Sequence, residues 1–375
     1  MTKAYSIFLT GLFSLFIGGI LVGSLLLPDR TFSPMENRNL AKPPKLSWEN
    51  VESGKFMSDA ESYVNDQIMG RDFWVAMKAW SERLSGKQEN NGIYFAKDGT
   101  LIRHLDTPSQ ETLAQNAGYI NQLVENVSVP VYFGLIPSAA EVWADRLPAG
   151  APTADEQAII EEMYSAVQAQ TVDLCTPLNA HRDEDLYYRT DHHWTSLGAR
   201  YAFEAMAEKL GITQPIQNYD TYTVSTTFEG TLASRSGSHA AYDTVELYVP
   251  QTDIEYYVSY GDAAETSATI YDRSALEQKD KYTVFFGGNY PRVDVYTTAE
   301  TGKTLLLFKD SYANCLMQFL YPYYDHIILI DPRYYYDNVE SVISREQVTD
   351  VLFLYNANTY FEDTSLADVL NVSEN

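Results

Sequence analysis

Four short stretches of this 375-residue chain are apolar along nearly their whole length: 129–136, 304–308, 326–330 and 351–355. Each has the length of a strand, and none alternates polar with apolar, so each predicts a strand buried on both faces, as in a parallel sheet. Helical spacing fills the gaps between them. Helices are expected over 107–126 and 154–170, over a stretch placing Ala202, Phe203, Met206, Ala207 and Leu210 on one face before Gly211, and from Tyr312 through Leu320. A shorter strand is expected over 171–178. Strand, helix, strand, helix is the rhythm of a doubly wound α/β sheet. Three of the apolar runs end in polar clusters, Lys309-Asp310-Ser311-Tyr312, Asp331-Pro332-Arg333 and Asn356-Ala357-Asn358. Open α/β sheets bind ligands at the carboxyl ends of their strands, so these clusters are expected on one edge of a single parallel sheet.

The amino terminus has another texture. From Ala4 to Leu27 no residue is charged, and as a helix this run extends roughly 36 Å, enough to cross a hydrocarbon core of about 30 Å. An uncleaved single-pass anchor is expected, with the bulk of the chain outside the cell, because Leu25-Leu26-Leu27-Pro28 offers no small-residue cleavage site and Lys3 precedes the span. A cleaved signal peptide is the rival reading. Beyond it, 26 Lys and Arg face 51 Asp and Glu, a formal charge of −25, which repels nucleic-acid backbones and anionic lipid headgroups alike. Cys175 and Cys315 are too few for a disulfide framework; they read as buried thiols, a single bridge being the alternative. Asn126-Val127-Ser128 and Asn371-Val372-Ser373 fit the glycosylation sequon, a pattern common by chance.

Residues 34–44 are polar and punctuated by proline and read as a stalk. Residues 53–85 then carry helical spacing interrupted at Gly70, and Asn91-Gly92 and Asp98-Gly99 frame a short hairpin. Between 212 and 301 the chain turns to Thr, Ser, Tyr and Gly, with runs such as 245–249 and 282–286 that read as strands of an all-β insertion. Gly287-Gly288-Asn289-Tyr290-Pro291 reads as a turn within it.

The chemistry concentrates in Tyr187-Tyr188-Arg189-Thr190-Asp191-His192-His193-Trp194-Thr195-Ser196-Leu197-Gly198, on the loop entering a helix. A serine at a strand-to-helix turn, such as Ser311, can cap the helix or act as a nucleophile near unpaired amides. Asp191 and His193, an orienting acid and a base on another strand-end loop, favour the nucleophile. Side chains of neighbouring residues in an extended segment diverge, so His192 is expected to face away from Ser311 in a structural or substrate-side role. Three consecutive metal ligands converge poorly, so no metal is expected, and no motif calls for a cofactor. Trp194 is expected to support the loop by packing.

Asp191-His192-His193-Trp194 resembles the signature of the DHHW protein family, relatives of the alginate O-acetylation proteins with SGNH-hydrolase-like domains. The resemblance extends to Glu36-Asn37-Arg38 and to the region holding Asn65-Asp66-Gln67 and Gly70-Arg71-Asp72. Asp310-Ser311 is similar to the SGNH nucleophile block, although Lys309 stands where glycine is usual. Asn356 is similar to the oxyanion Asn, and His193 with Gly198 to the terminal acid-and-His block, with one residue between acid and His. The motif order is circularly permuted. The resemblance implies an anchor over 1–30, a stalk with helical and hairpin segments over 31–106, and an SGNH-like domain in two parts, 107–211 and 302–375, around a β-rich insertion over 212–301. It implies Ser311, His193 and Asp191 as a catalytic triad, with Asn356, Asn358, Arg333 and His192 as oxyanion or substrate-binding residues. The implied activity is O-acetyl transfer to an exported cell-surface polysaccharide, or its hydrolysis, with a membrane-bound O-acyltransferase as a partner. The rival is a non-catalytic polysaccharide- or wall-binding protein of the same fold.

Overall fold

The apolar runs form the middle of one sheet. The structure, a computed structural model, describes residues 3–261 and 266–371, so Val372 and Ser373 of the second sequon lie outside it. Among the described residues the sheet has eight strands: β1 (Val131–Ile136), β2 (Gln170–Val172), β3 (Tyr256–Tyr260), β4 (Thr266–Ser267), β5 (Arg292–Thr297), β6 (Thr304–Lys309), β7 (His326–Ile330) and β8 (Asp350–Asn356). Their order across the sheet is β4-β3-β5-β7-β6-β8-β1-β2. The five from β7 to β2 are parallel, and β3, β4 and β5 extend the sheet antiparallel. Phe308 lies opposite both Ile330 and Phe353, so the three polar clusters leave from one edge, as expected from the sequence.

Alternate residues of each run enter different cores. Leu305, Leu307, Ile327, Leu329, Leu352 and Leu354 face one side, packed with Ala199, Ala202, Phe203 and Met206 of the helix Ser196–Ala207. Leu306, Phe308, Ile328, Ile330, Val351 and Phe353 face the other, against the helices Gln110–Asn126, Glu156–Ala166 and Val339–Arg345. This two-sided cover is why the runs contain no alternation. Cys175 and Cys315 are free buried thiols in the two different cores.

Helix starts follow their caps. Ser109, Asp155 and Thr195 each accept from a backbone amide in the first turn of the helix that follows. After β2 the expected strand stops early, because Asp173 accepts from the amides of Cys175 and Thr176 at 3.0 and 3.1 Å and starts the short helix Cys175–Ala180. Residues 212–301 are divided. Tyr219–Phe228 pairs with Asp243–Pro250 as a bulged ribbon, whereas β3, β4 and β5 join the main sheet. Residues 282–286 are not a strand: a 3₁₀ turn over Lys281–Val284 sends Tyr282, Phe285 and Phe286 into the core, and Phe286 takes a left-handed φ of 66°.

Residues Met1–Asn91 with Ser234–Ser238 form one unit, and Gly92–Ala233 with His239–Asn375 another. The first unit contains the helix Lys3–Leu26, with a mean hydropathy of 2.1 over an 18-residue stretch and no buried residue, long and apolar enough to cross a membrane. The stalk settles on the helices Lys55–Gln67 and Arg71–Leu84, which part at Gly70 with its left-handed φ of 71°. There Arg38 binds Asp66 at 2.6 Å and Glu36 at 3.0 Å, and buried Arg71 joins both acids.

Gly198 tests the packing of this fold. A Cβ there would meet the Leu186 carbonyl oxygen at 2.5 Å, whereas exposed Gly118, also in a helix, has open space around it. Measured by urea unfolding, Gly198→Ala is expected to lower the unfolding free energy by about 1–3 kcal/mol, and Gly118→Ala to raise it by roughly 0.5–1 kcal/mol.

Candidate active site

Strand β6 lies between β7 and β8, which the chain reaches in turn on its opposite sides, and such a switch of direction opens a crevice at the strand ends. Ser311 stands in that crevice. Its loop is braced by buried Asp310, whose Oδ1 accepts from the Tyr312 amide at 2.9 Å and whose Oδ2 accepts from the Asn356 amide at 3.0 Å. Burial pushes the Asp310 carboxyl up, against those two amides. The second loop is a small hairpin closed by the bridge between Tyr187 and Trp194. Its tip is held by Asp243, which accepts from the amides of Arg189 and Thr190, both at 2.8 Å, and from the Thr190 hydroxyl.

The two loops meet through His193. Its Nδ1 lies 2.6 Å from Asp191 Oδ1 and its Nε2 lies 2.7 Å from Ser311 Oγ. A proton on Nδ1 leaves Nε2 to accept from the serine hydroxyl. The other oxygen of Asp191, Oδ2, accepts from the amide and hydroxyl of Thr231 at 2.7 and 2.8 Å. Burial opposes the charge on Asp191, but His192, His193 and Thr231 together hold its carboxyl well below the usual range. Gly230 packs so tightly that a Cβ there would lie 2.5 Å from Asp191 Oδ2. The Tyr282 ring stacks on His193, with centroids 3.7 Å apart and planes 9° apart, and its hydroxyl donates to the carbonyls of Ser311 and Tyr312. Trp194 is fully buried and donates from Nε1 to the Tyr312 carbonyl at 2.8 Å, which ties one loop to the other.

A cavity of about 360 Å³ opens over this relay, lined by Ser311, Asp191, His192, Ser138, Arg103, Arg333 and Asn358 among others. Asn356 lines it too, but its side chain is committed: Nδ2 donates to the Ile136 carbonyl and Oδ1 accepts from the Asn358 amide, both at 3.2 Å. It caps the turn after β8. The Asn358 amide group is different, because its buried Oδ1 has no partner among the described residues. Arg333 is locked to Asp331 by two bonds, 2.8 and 2.6 Å. Lys309, in the usual glycine position, is buried with its ammonium on Asn314 Oδ1 at 2.9 Å and 3.9 Å from Asp331, and burial pushes it down to about 8.

His192 does not turn away as an extended segment would require. Residues 191–193 form a bend, so the two imidazoles lie side by side, centroids 3.9 Å apart, and His192 lines the cavity with Nδ1 on Thr231 Oγ1. The same bend brings ligand atoms of Asp191, His192 and His193 within 4.8 Å of one another. Both nitrogens of His193 and both oxygens of Asp191 are already engaged by protein groups, so an ion bound there would have to break the Asp191–His193–Ser311 chain.

Sequence reasoning missed Gly230, Thr231, Tyr282 and the pair Ser138 and Glu156. Gly230 and Thr231 lie in a stretch rich in Gly, Ser and Thr where no local signal sets them apart. Tyr282 was hidden by the strand reading of its run. Ser138, at the cavity wall, donates from its amide and hydroxyl to buried Glu156 at 2.6 and 2.5 Å.

Two substitutions test the site. Gly230→Ala is expected to displace Asp191 and to cut any activity of the site at least tenfold in kcat while leaving the circular dichroism of the fold unchanged. Burial pushes the Glu156 carboxyl up to about 7 from 4.5. A carboxyl raised on folding makes the folded state hold the extra proton, so stability should fall as pH rises from about 4.5 to about 7. Glu156→Gln should flatten that stretch of the stability profile, measured by urea unfolding.

The family model for the DHHW protein matches residues 116–330. A crystal structure of a DHHW family protein from Eubacterium siraeum is 27% identical with a TM-score of 0.66, over 76% of this chain and 98% of that one. Bacillus cereus PatB1, solved with a sulfonyl adduct, shares the fold at 19% identity and a TM-score of 0.61, over 74% of this chain and 99% of that one. The Probable alginate O-acetylase AlgJ of Pseudomonas syringae pv. tomato is 20% identical over 179 residues, 44% of this chain and 46% of that protein. The match thus spans about half the length of that curated relative.

Proposed function

Since the chain belongs to the DHHW protein family, we propose that it is a membrane-anchored, extracytoplasmic O-acetyltransferase or acetylesterase acting on a cell-surface polysaccharide. The observation that carries this reading is the unbroken chain from Asp191 through His193 to Ser311, at 2.6 and 2.7 Å, opening into a cavity. The distant likeness to an alginate O-acetylase supports the acyl class. The helix Lys3–Leu26 serves as the anchor, and a membrane-bound O-acyltransferase is the supplier of acetyl groups in this reading.

The chemistry follows from the geometry. His193 Nε2 takes the Ser311 proton as Oγ bonds to the acyl carbonyl carbon, and Asp191 holds the imidazole tautomer and balances the imidazolium. The oxyanion that forms needs donors. Among the described residues nothing accepts from the Ser311 amide, and Asn358 lies on the cavity wall; that amide and Nδ2 of Asn358 supply them in this reading, with Asn356 as the brace beneath. Collapse expels the alcohol with the proton from His193 and leaves acetyl-Ser311. An acceptor hydroxyl, from sugar or water, then loses its proton to His193 as it bonds to the acetyl carbon, and His193 returns that proton to Ser311 Oγ as the acyl-serine bond breaks. Transfer and hydrolysis differ only in that acceptor. A non-catalytic binder has no need of a buried acid, base and hydroxyl in register, and the 2.7 Å contact to Ser311 counts against it.

The test is turnover of an acetylated chromogenic ester and of an acetylated polysaccharide. Ser311→Ala and His193→Ala should each remove nearly all activity, and the double variant should be little worse. Asp191→Asn should keep the fold and lose on the order of a hundredfold or more. Full activity in Ser311→Ala would overturn the covalent mechanism.

A further inference from the structure

The N-terminal unit presents an apolar surface that its own residues leave bare. Along the helix Arg71–Leu84, Phe73, Met77, Trp80 and Leu84 recur at spacings of four, three and four, which sets them in one stripe, and they are 62%, 43%, 65% and 68% exposed. An exposed stripe of this size marks a binding surface.

What it adjoins identifies its partner. Trp74 of the same helix meets Phe16 edge-on, with ring centroids 6.1 Å apart. Met69 packs its side chain on the bare Cα of Gly23 and donates its amide to Ser24 Oγ at 2.8 Å. Just beyond the apolar helix, Arg30 exchanges two backbone bonds with the Gln67 side chain, both 2.9 Å, and its guanidinium binds Asp72 at 2.8 Å. The helix Arg71–Leu84 is therefore strapped alongside the outer part of the helix Lys3–Leu26. Phe16 lies about 15 Å along that helix from Leu26, so the strapped helix begins at a depth the apolar helix spends in lipid.

We propose that Phe73, Met77, Trp80 and Leu84 seat in the outer leaflet of the membrane that holds the helix Lys3–Leu26, making this unit an interfacial membrane-binding module and not a mere spacer. The proposal rests on the anchor reading above. Two further observations fit lipid as the occupant. In a chain of formal charge −25, this helix, apart from Arg71 in its buried ion pairs, carries Lys78 and Arg83 against Asp72 and Glu82, a balance without the chain's acidic excess that suits a headgroup layer. The charges that follow the apolar helix are partnered, Arg30 with Asp72 and Asp29 with the Tyr63 hydroxyl, and Glu36, Arg38, Asp66 and Arg71 are paired with one another, as charges at the edge of hydrocarbon must be. Tryptophan within such a stripe is the residue favoured at a membrane interface.

The full chain, in vesicles of phosphatidylcholine and phosphatidylglycerol, is the material for the test. Nitroxide labels go on single cysteines placed at Phe73, Met77, Trp80 and Leu84, at exposed Lys78, about 130° round the helix from the stripe's centre, and at Phe13 in the apolar helix; each labelled chain is required to keep the wild-type circular dichroism. Relaxation by oxygen should exceed relaxation by a water-soluble nickel chelate severalfold at the four stripe positions and at Phe13, with the reverse at Lys78. If Phe13 reports lipid while the stripe reports water, the interfacial module is wrong and the anchor stands. Stripe labels shielded from both reagents would mean a protein partner or second copy covers the face, which also overturns the proposal. Phe13 in water would remove the anchor and the module together.

Discussion

The Asp310 carboxylate holds the site to the sheet. One oxygen takes the Tyr312 amide and the other the Asn356 amide, so a single buried side chain joins the end of β6 to the end of β8. Removing a carboxylate from water is costly, and two amide donors offset that cost while fixing its direction. The rest of the loop is pinned from above: Tyr282 donates to the carbonyls of Ser311 and Tyr312, and Trp194 donates to the latter as well. The Ser311 amide is left pointing at no protein acceptor among the described residues. A loop so fully bonded, with one donor spare, holds its serine and that donor in fixed relation, which is the preorganisation that oxyanion stabilisation needs.

The other half of the relay depends on a different economy of space. Asp191 is almost wholly buried, and a lone buried carboxylate would take a proton. Thr231 supplies two donors to one oxygen and His193 a donor to the other. Thr231 can come that close only because Gly230 before it has no side chain. The ionised acid therefore depends on a glycine about forty positions away, in the connection that follows the ribbon strand Tyr219–Phe228 and takes no part in the parallel sheet.

That dependence shows what could and could not be read from the sequence. The central strands were legible because burial on both faces leaves no room for polar residues, and their polar ends were legible because the sheet ends there. Asp191 and His193, expected on another strand-end loop, lie on a hairpin between the helices Cys175–Ala180 and Ser196–Ala207, whereas Ser311 followed from strand-end logic. His192 did not, since its direction is set by a bend at 191–193 and not by extended geometry. Nor did the sequence show that the Asn356 side chain is consumed in capping the turn after β8, a matter of one backbone bond to Ile136 and one from Asn358. Tyr282 escaped notice because a 3₁₀ turn and a strand bury the same aromatic residues and leave similar runs in the chain.

The permuted motif order has a physical explanation in how each half is built. Asp191 and His193 sit on a hairpin closed within itself, from Tyr187 to Trp194, and hung from Asp243. Ser311 belongs to the end of β6 and needs only β8 beside it. Neither half requires the other to come first in the chain; they need only meet over the same crevice, where the contact between Trp194 and the Tyr312 carbonyl and the bond from the Tyr312 hydroxyl to the His192 carbonyl align them. A separation of 118 positions between His193 and Ser311 is then no obstacle to a 2.7 Å hydrogen bond, because the contacts between the two loops, and not the intervening chain, set the distance.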